Sequence, residues 1–153
     1  MLSLFKSSKN KAPKKGATFY HRENKIQTIE ELNTILKRLS STTSTISKST
    51  ILFQGLELDS ISMESLENDF GEESFILEPD SEILDHKVYY YRITSGGLRF
   101  LIQIHFIGSQ FFFATTKVYS ESLLSDDDKQ KVSRQIISKP YNTLQTAILF
   151  LLH

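Results

Sequence analysis

The chain has no cysteine in its 153 residues, which removes disulfides, thiolate metal sites and thiol nucleophiles together. Stability must come from packing and hydrogen bonding. Long apolar runs are missing too: the longest, residues 147–152, falls far short of the ~20 residues of a membrane-spanning helix and reads as core. The opening Met1-Leu-Ser-Leu-Phe5 runs straight into lysines, without the apolar stretch of ~7–15 residues and the cleavage site of a secretory signal. A cytoplasmic protein is therefore expected, with no membrane partner. Positive charge is absent from residues 49–86, which hold eleven Asp/Glu and no Lys/Arg.

The standard short motifs of catalysis and cofactor binding are also missing. There is no G-x-x-x-x-G-K-[ST], G-x-G-x-x-G, H-E-x-x-H or G-x-S-x-G, and no calcium loop. His21-Arg-Glu23 is the nearest approach to a metal spacing and does not match one. No cofactor, metal or catalytic residue is assigned on this basis.

What is present is ordinary globular composition, 39% hydrophobic and 24% charged, in a length that suits one domain. The formal net charge is zero, yet the charges are segregated: residues 1–48 carry net +7, residues 49–86 net −11 and residues 87–153 net +4. Such blocks create local fields that the zero total conceals. Residues 1–16, polar and lysine-rich, are expected to form a flexible basic leader, and 17–153 a single α+β domain.

Thr28 and Glu31 form a T-x-x-E capping box, and Ile29, Leu32, Ile35, Leu36 and Leu39 behind it repeat at helical spacing, predicting a helix over 28–39 that packs on something. Residues 40–50 hold nine Ser/Thr, whose hydroxyls compete with the helical backbone, and are expected as a loop or edge strand. Short strands are read at 51–53 and 75–77. A second helix is read over 62–70, with Ser62 as N-cap and Gly71 as its stop.

From residue 87 the period becomes two. Residues 87–94, 98–107 and 110–119 are rich in Tyr, Phe, Ile, Val and Thr, separated by Ser95-Gly96-Gly97 and Gly108-Ser109, the pattern of a three-stranded antiparallel meander. In the middle strand Leu98, Phe100, Ile102, Ile104 and Phe106 share a core face, and Arg99, Leu101, Gln103, His105 and Ile107 a mixed one. Phe111 to Phe113 put aromatic bulk on both faces of the third strand, read as cover by a helix on one side and partial cover on the other. A third helix is expected over 125–139, capped by Ser125 and the acidic turn Asp126-Asp127-Asp128. Residues 144–152 read as a last buried helix. The fold class is α+β, an antiparallel sheet packed against helices.

Several constellations invite a functional reading beside a structural one. His105 with a nearby carboxylate would suit a small hydrolase or ligand-binding enzyme; a lone strand histidine is also a common half-buried residue. Asp85-His86 lacks force as a pair because adjacent strand residues face opposite ways. Asp126 to Asp128 have the clustered carboxylates a divalent cation favours, but the capped, acidic first turn of a helix explains them without a metal and is the preferred reading. Tyr89-Tyr90-Tyr91 with Arg92 and Arg99 has the residue types of a nucleic-acid sheet surface, but the neighbouring acidic segment repels phosphate, so no nucleic-acid partner is assigned. A scaffold role for the aromatic sheet face is a further alternative.

The acidic run is the feature these readings leave unexplained. Eleven like charges repel one another, and a basic partner would relieve that repulsion. The stretch Gln54-Gly-Leu-Glu-Leu-Asp-Ser-Ile-Ser-Met-Glu-Ser-Leu-Glu-Asn-Asp-Phe-Gly71 resembles the glycine, short helix and Phe-Gly stop that opens small bacterial immunity-type domains, and the Leu-Phe-Lys start and aromatic strands are similar. The resemblance covers residues 51–119 and carries no catalytic motif. It implies a non-enzymatic cytosolic protein that neutralises a cognate toxin by binding it. Glu64, Glu67, Asp69, Glu72, Glu73, Glu78 and Asp80 are the residues expected to meet a basic protein surface.

Overall fold

The computed structural model of the chain describes residues 15–24, 26–41, 52–53, 56–79, 81–95, 98–119, 125, 127–128 and 130. In chain order its elements are α1 (Ala17–Glu23), α2 (Ile29–Ser41), a hairpin of β1 (Leu52–Phe53) and β2 (Leu56–Glu57), a 3-10 turn (Leu58–Ser60), and α3 (Leu66–Phe70). The strands β3 (Phe75–Leu77), β4 (His86–Ser95), β5 (Leu98–Ile107) and β6 (Gln110–Tyr119) follow. The fold is α+β. The expected meander is present and gains a fourth strand, giving the antiparallel order β3-β4-β5-β6.

β-Branched and aromatic side chains favour this pleated surface, and the alternation along β5 assigns them to two cores. On one face Phe100, Ile102, Ile104 and Phe106 join Tyr91, Ile93 and Val118, covered by Phe53, Ile61, Leu66 and Phe70. On the other, Leu101, Val88, Tyr90 and Leu77 pack with Tyr20 of α1. The face expected to be mixed is thus buried as well along its middle, at Leu101, Gln103 and His105.

α1 closes that second face and was not expected from the sequence. Its N-cap is Gly16, which offers no side-chain cap. What secures the helix is Tyr20, whose ring stacks on Phe75 at 4.5 Å, with the Tyr90 ring 5.0 Å away. The Tyr90 hydroxyl donates to the Tyr20 carbonyl (3.0 Å). Asn24 then turns the chain by bracketing Ile26, donating from Nδ2 to its carbonyl (3.1 Å) and accepting its amide at Oδ1 (3.2 Å).

The capping box of α2 forms as read: Glu31 N–H donates to Thr28 Oγ1, and Thr28 N–H to Glu31 Oε2, each at 3.1 Å. Glu31 Oε2 also accepts from Gln27 N–H (2.7 Å). The apolar stripe is less buried than expected. Leu32 and Ile35 are half-buried, whereas Ile29 and Leu36 are about half exposed. Ser40 and Ser41, expected in a loop or edge strand, finish the helix by donating to Lys37 and Arg38 carbonyls, each at 2.9 Å; residues 42–50 lie outside the described residues.

The helix read over 62–70 is shorter. Ser62 and Ser65 tie a turn together, each hydroxyl accepting the other's amide (3.2 and 3.1 Å), and α3 starts only at Leu66. Gly71 ends it with φ +79, a backbone region open to glycine, while its N–H returns to the Glu67 carbonyl. Of the helix expected over 125–139 only the start is described, where Asp128 N–H donates to Ser125 Oγ at 3.1 Å; the rest, and residues 144–152, lie outside the described residues.

Two irregularities shape the sheet. Beyond β3, Ser74 prolongs the pairing along β4: its N–H donates to the Tyr90 carbonyl (2.7 Å) and its hydroxyl accepts from Arg92 N–H (2.9 Å). Between β5 and β6 the register shifts at His105/Phe106, so His105 faces Phe113 while Phe106 faces Phe111, leaving Phe112 as an extra residue. Strict alternation through Phe111 to Phe113 therefore fails.

Tyr20→Ala should lower stability by about 3–5 kcal/mol in urea denaturation, because it removes the ring that joins α1 to the sheet. Ile29→Ala, at an exposed position, should change stability by no more than about 0.5 kcal/mol.

Candidate functional site

Two places on the molecule gather chemistry: the carboxylates around α3, and a cavity on the opposite side of the sheet.

Around α3, Glu64, Glu67 and Glu72 are exposed, and Asp69 and Glu73 are half-buried. Glu64, Glu67, Asp69 and Glu73 lie close enough to two phenols of β4 for their charges to act on them. Burial comes first in raising the Tyr91 hydroxyl above its ordinary pKa, and the charges of Glu73, Glu67 and Asp69 add to it. Tyr89 is likewise raised by burial; Lys87 opposes the rise, and Glu73, Glu78 and Glu64 assist it. Among the described residues no Lys or Arg pairs with Glu64, Glu67, Asp69 or Glu73.

Glu78 and Glu82 of the acidic run are engaged within the chain, whereas Glu57 and Asp59 are exposed. Glu78 binds Lys87 Nζ at 2.8 Å. Glu82 Oε2 accepts the first amide of α2, from Ile29, at 3.2 Å. Asp80 lies outside the described residues. Asp85, with φ +54, supplies the carbonyl that accepts Gly108 N–H at 3.0 Å. The described cations gather mainly on the α1 side. Lys15, Arg22 and Arg92 stand 5.5–5.9 Å from the Phe19 ring centroid, a cation–π arrangement. These three cations surround an aromatic ring that packs on the α1 face of the sheet, away from the carboxylates of α3.

The triple tyrosine does not offer a stacking platform. Tyr90 and Tyr91 are buried in opposite cores and Tyr89 packs edge-on to Phe106.

The cavity, about 470 Å³, lies between α2 and strands β5 and β6. That volume falls in the range of small-molecule sites. Glu31, Thr34 and Ile35 of α2 form one wall, and Gln103, His105 and Phe113 the other. At one end Glu23 and Lys117 form a largely buried ion pair at 2.8 Å, with side-chain exposures of 8% and 14%. The Lys117 ammonium also lies 4.9 Å from the Tyr119 ring centroid. Gln103 Nε2 donates to the Glu23 carbonyl at 3.3 Å, fixing the end of α1 to the sheet.

His105 does not use a carboxylate. Its Nδ1 lies 3.0 Å from His86 Nε2, and both rings are buried against Phe112, with Phe113 also on His105. The bulge makes this enclosure possible, because it lets two consecutive phenylalanines approach the same imidazole. Burial drives the pKa of His105 from 6.5 down to about 3, with the neighbouring His86 adding to the effect, and burial lowers His86 as well. Both rings are neutral at pH 7. The carboxylate–imidazole unit expected of a small hydrolase is replaced by an imidazole–imidazole one.

His86 and Glu23 were not expected at the site. Their signal lies in pairings distant in sequence, across 19 residues for the histidines and 94 for Glu23 with Lys117. Among the described residues no group of three metal-binding side chains is present and no helix is long and apolar enough to cross a membrane. Comparison with family models, curated proteins and solved structures found no match to the chain.

Because folding lowers both histidine pKa values, the unfolded chain binds more protons below pH 6.5 than the folded one. The stability from burying neutral rings is complete above about pH 6.5 and is lost as pH falls toward the folded values. Urea midpoints should be flat from pH 8 to 7 and decline from pH 6.5 to 5, more steeply than in H86F. Lys117→Met should cost about 3–5 kcal/mol by removing the cation that balances the buried Glu23 carboxylate, and adding Glu23→Leu should restore much of it in a double-mutant cycle.

Proposed function

We propose that the chain is a non-enzymatic protein-binding domain whose carboxylate face around α3 docks on a basic surface of another protein. The observation that carries this reading is the set Glu64, Glu67, Asp69 and Glu73, grouped beside Tyr89 and Tyr91 with no cationic partner among the described residues. Like charges held together in this way raise the free energy of the isolated domain, and a positive partner surface lowers it. They also hasten encounter with such a partner.

The finer proposal is an immunity-type role, neutralising a toxin whose own surface is basic. A nuclease fits this description, since its site must attract phosphate. The similarity of residues 54–71 to the opening of immunity-type domains supports that reading, as does the α+β architecture with an aromatic antiparallel sheet. In this role Glu64, Glu67, Asp69, Glu72 and Glu73 supply the contacts, with Glu78 at the margin.

The test is calorimetry with the protein encoded beside this chain. Reversing Glu64, Glu67, Asp69, Glu72 and Glu73 to lysine should weaken binding at least about tenfold, and raising salt from 50 to 300 mM should slow association of the wild type. Tight binding indifferent to both changes would remove the proposal. In the absence of any partner, Glu64→Lys alone should leave the melting temperature unchanged or raise it, since it relieves repulsion rather than breaking an ion pair.

A further inference from the structure

The α2-side cavity is separate from the acidic face and has the makings of a site of its own. Its strand wall is neutral: Gln103, His105 and Phe113 carry no formal charge and Glu23 and Lys117 cancel at one end, while the charges of Glu30, Glu31 and Arg38 stand on the α2 side, where Glu31 accepts two backbone amides. Gln103 and His105 are 95% and 99% buried, two residues apart on one face of β5. Each keeps one polar atom without a hydrogen bond among the described residues, Oε1 of Gln103 and Nε2 of His105.

The proton on that nitrogen follows from its neighbour. His86 Nδ1 is buried without a partner. A buried N–H lacking an acceptor is the rarer defect in proteins, so the network assigns the His86 proton to Nε2, donated to His105 Nδ1. His105 then carries its own proton on Nε2. The cavity wall thus presents a donor, His105 Nε2–H, and two residues along the same strand an acceptor, Gln103 Oε1, with Phe113 and Ile35 also lining it.

We infer that this cavity binds an uncharged, flat small molecule bearing a cyclic amide edge, its C=O accepting from His105 Nε2–H and its N–H donating to Gln103 Oε1. Such an edge satisfies both atoms at once, and an unmet buried polar group on either side is what discriminates against a molecule lacking it. A charged group placed at that strand wall would have to give up its hydration against neutral partners.

The probes are 2-quinolone, which has this edge, 1-methyl-2-quinolone, whose N–H is blocked, and 2-naphthoate, of similar shape but charged. Each is titrated into the full chain at pH 7.5 and followed by amide and imidazole NMR. 2-Quinolone should give saturable shifts centred on Gln103, His105 and Phe113, and should bind about tenfold or more tightly than the other two. Thr34→Trp, at an exposed position on the α2 wall, should abolish these shifts without altering the melting temperature, and Gln103→Leu should erase the preference for 2-quinolone over its methyl derivative. Absence of saturable shifts, equal affinity for the three probes, or undiminished binding to T34W would overturn the inference.

Discussion

The constraint on which the structure depends is that β5 is buried on both faces. A strand with one wet face needs cover on one side alone, but Leu101, Gln103 and His105 are buried to the same degree as Phe100, Ile102 and Ile104. Two separate coverings follow. The hairpin, 3-10 turn and α3 close one face through Phe53, Ile61, Leu66 and Phe70. α1 closes part of the other through Tyr20, and the polar residues farther along that face become buried and must find partners within the chain.

The molecule's chemistry arises from that second face. Glu23 and Lys117 satisfy each other, Gln103 reaches the carbonyl at the end of α1, and His86 and His105 share a hydrogen bond. A buried ion pair contributes little net stability, since desolvation offsets much of the attraction, though removing one member strands the other. Its consequence here is positional: it holds the end of α1 against β6 and so sets one end of the cavity. Carboxylates collect on the far side of the sheet around α3.

Those parts of the fold governed by local pattern were legible in the sequence. The capping box at Thr28 and Glu31, the period-two strands and the glycine stop at Gly71 each rest on residues a few positions apart, and each stands close to where it was expected. α1 was not legible, because Gly16 offers no cap and its hold comes from Phe75 and Tyr90, more than fifty residues away. The burial of His105 was hidden for a similar reason. A bulge shifts Phe112 out of alternation, and no periodicity in Phe111 to Phe113 reveals which of them is the extra residue. The exposed carboxylates were readable as a run but not as a group, since Glu78 and Glu82 turn to Lys87 and Ile29.

The small feature at Ser74 has an effect on how copies of the chain meet. Open strand edges invite the edge of another molecule, and a long unprotected one seeds aggregation. β3 is only three residues long, so much of β4 would otherwise lie bare on that side. By taking the Arg92 amide on its hydroxyl, Ser74 occupies the next pairing position with a side chain in place of a carbonyl. A side chain cannot hand the ladder on to a further residue, so sheet growth along this margin ends where the serine stands.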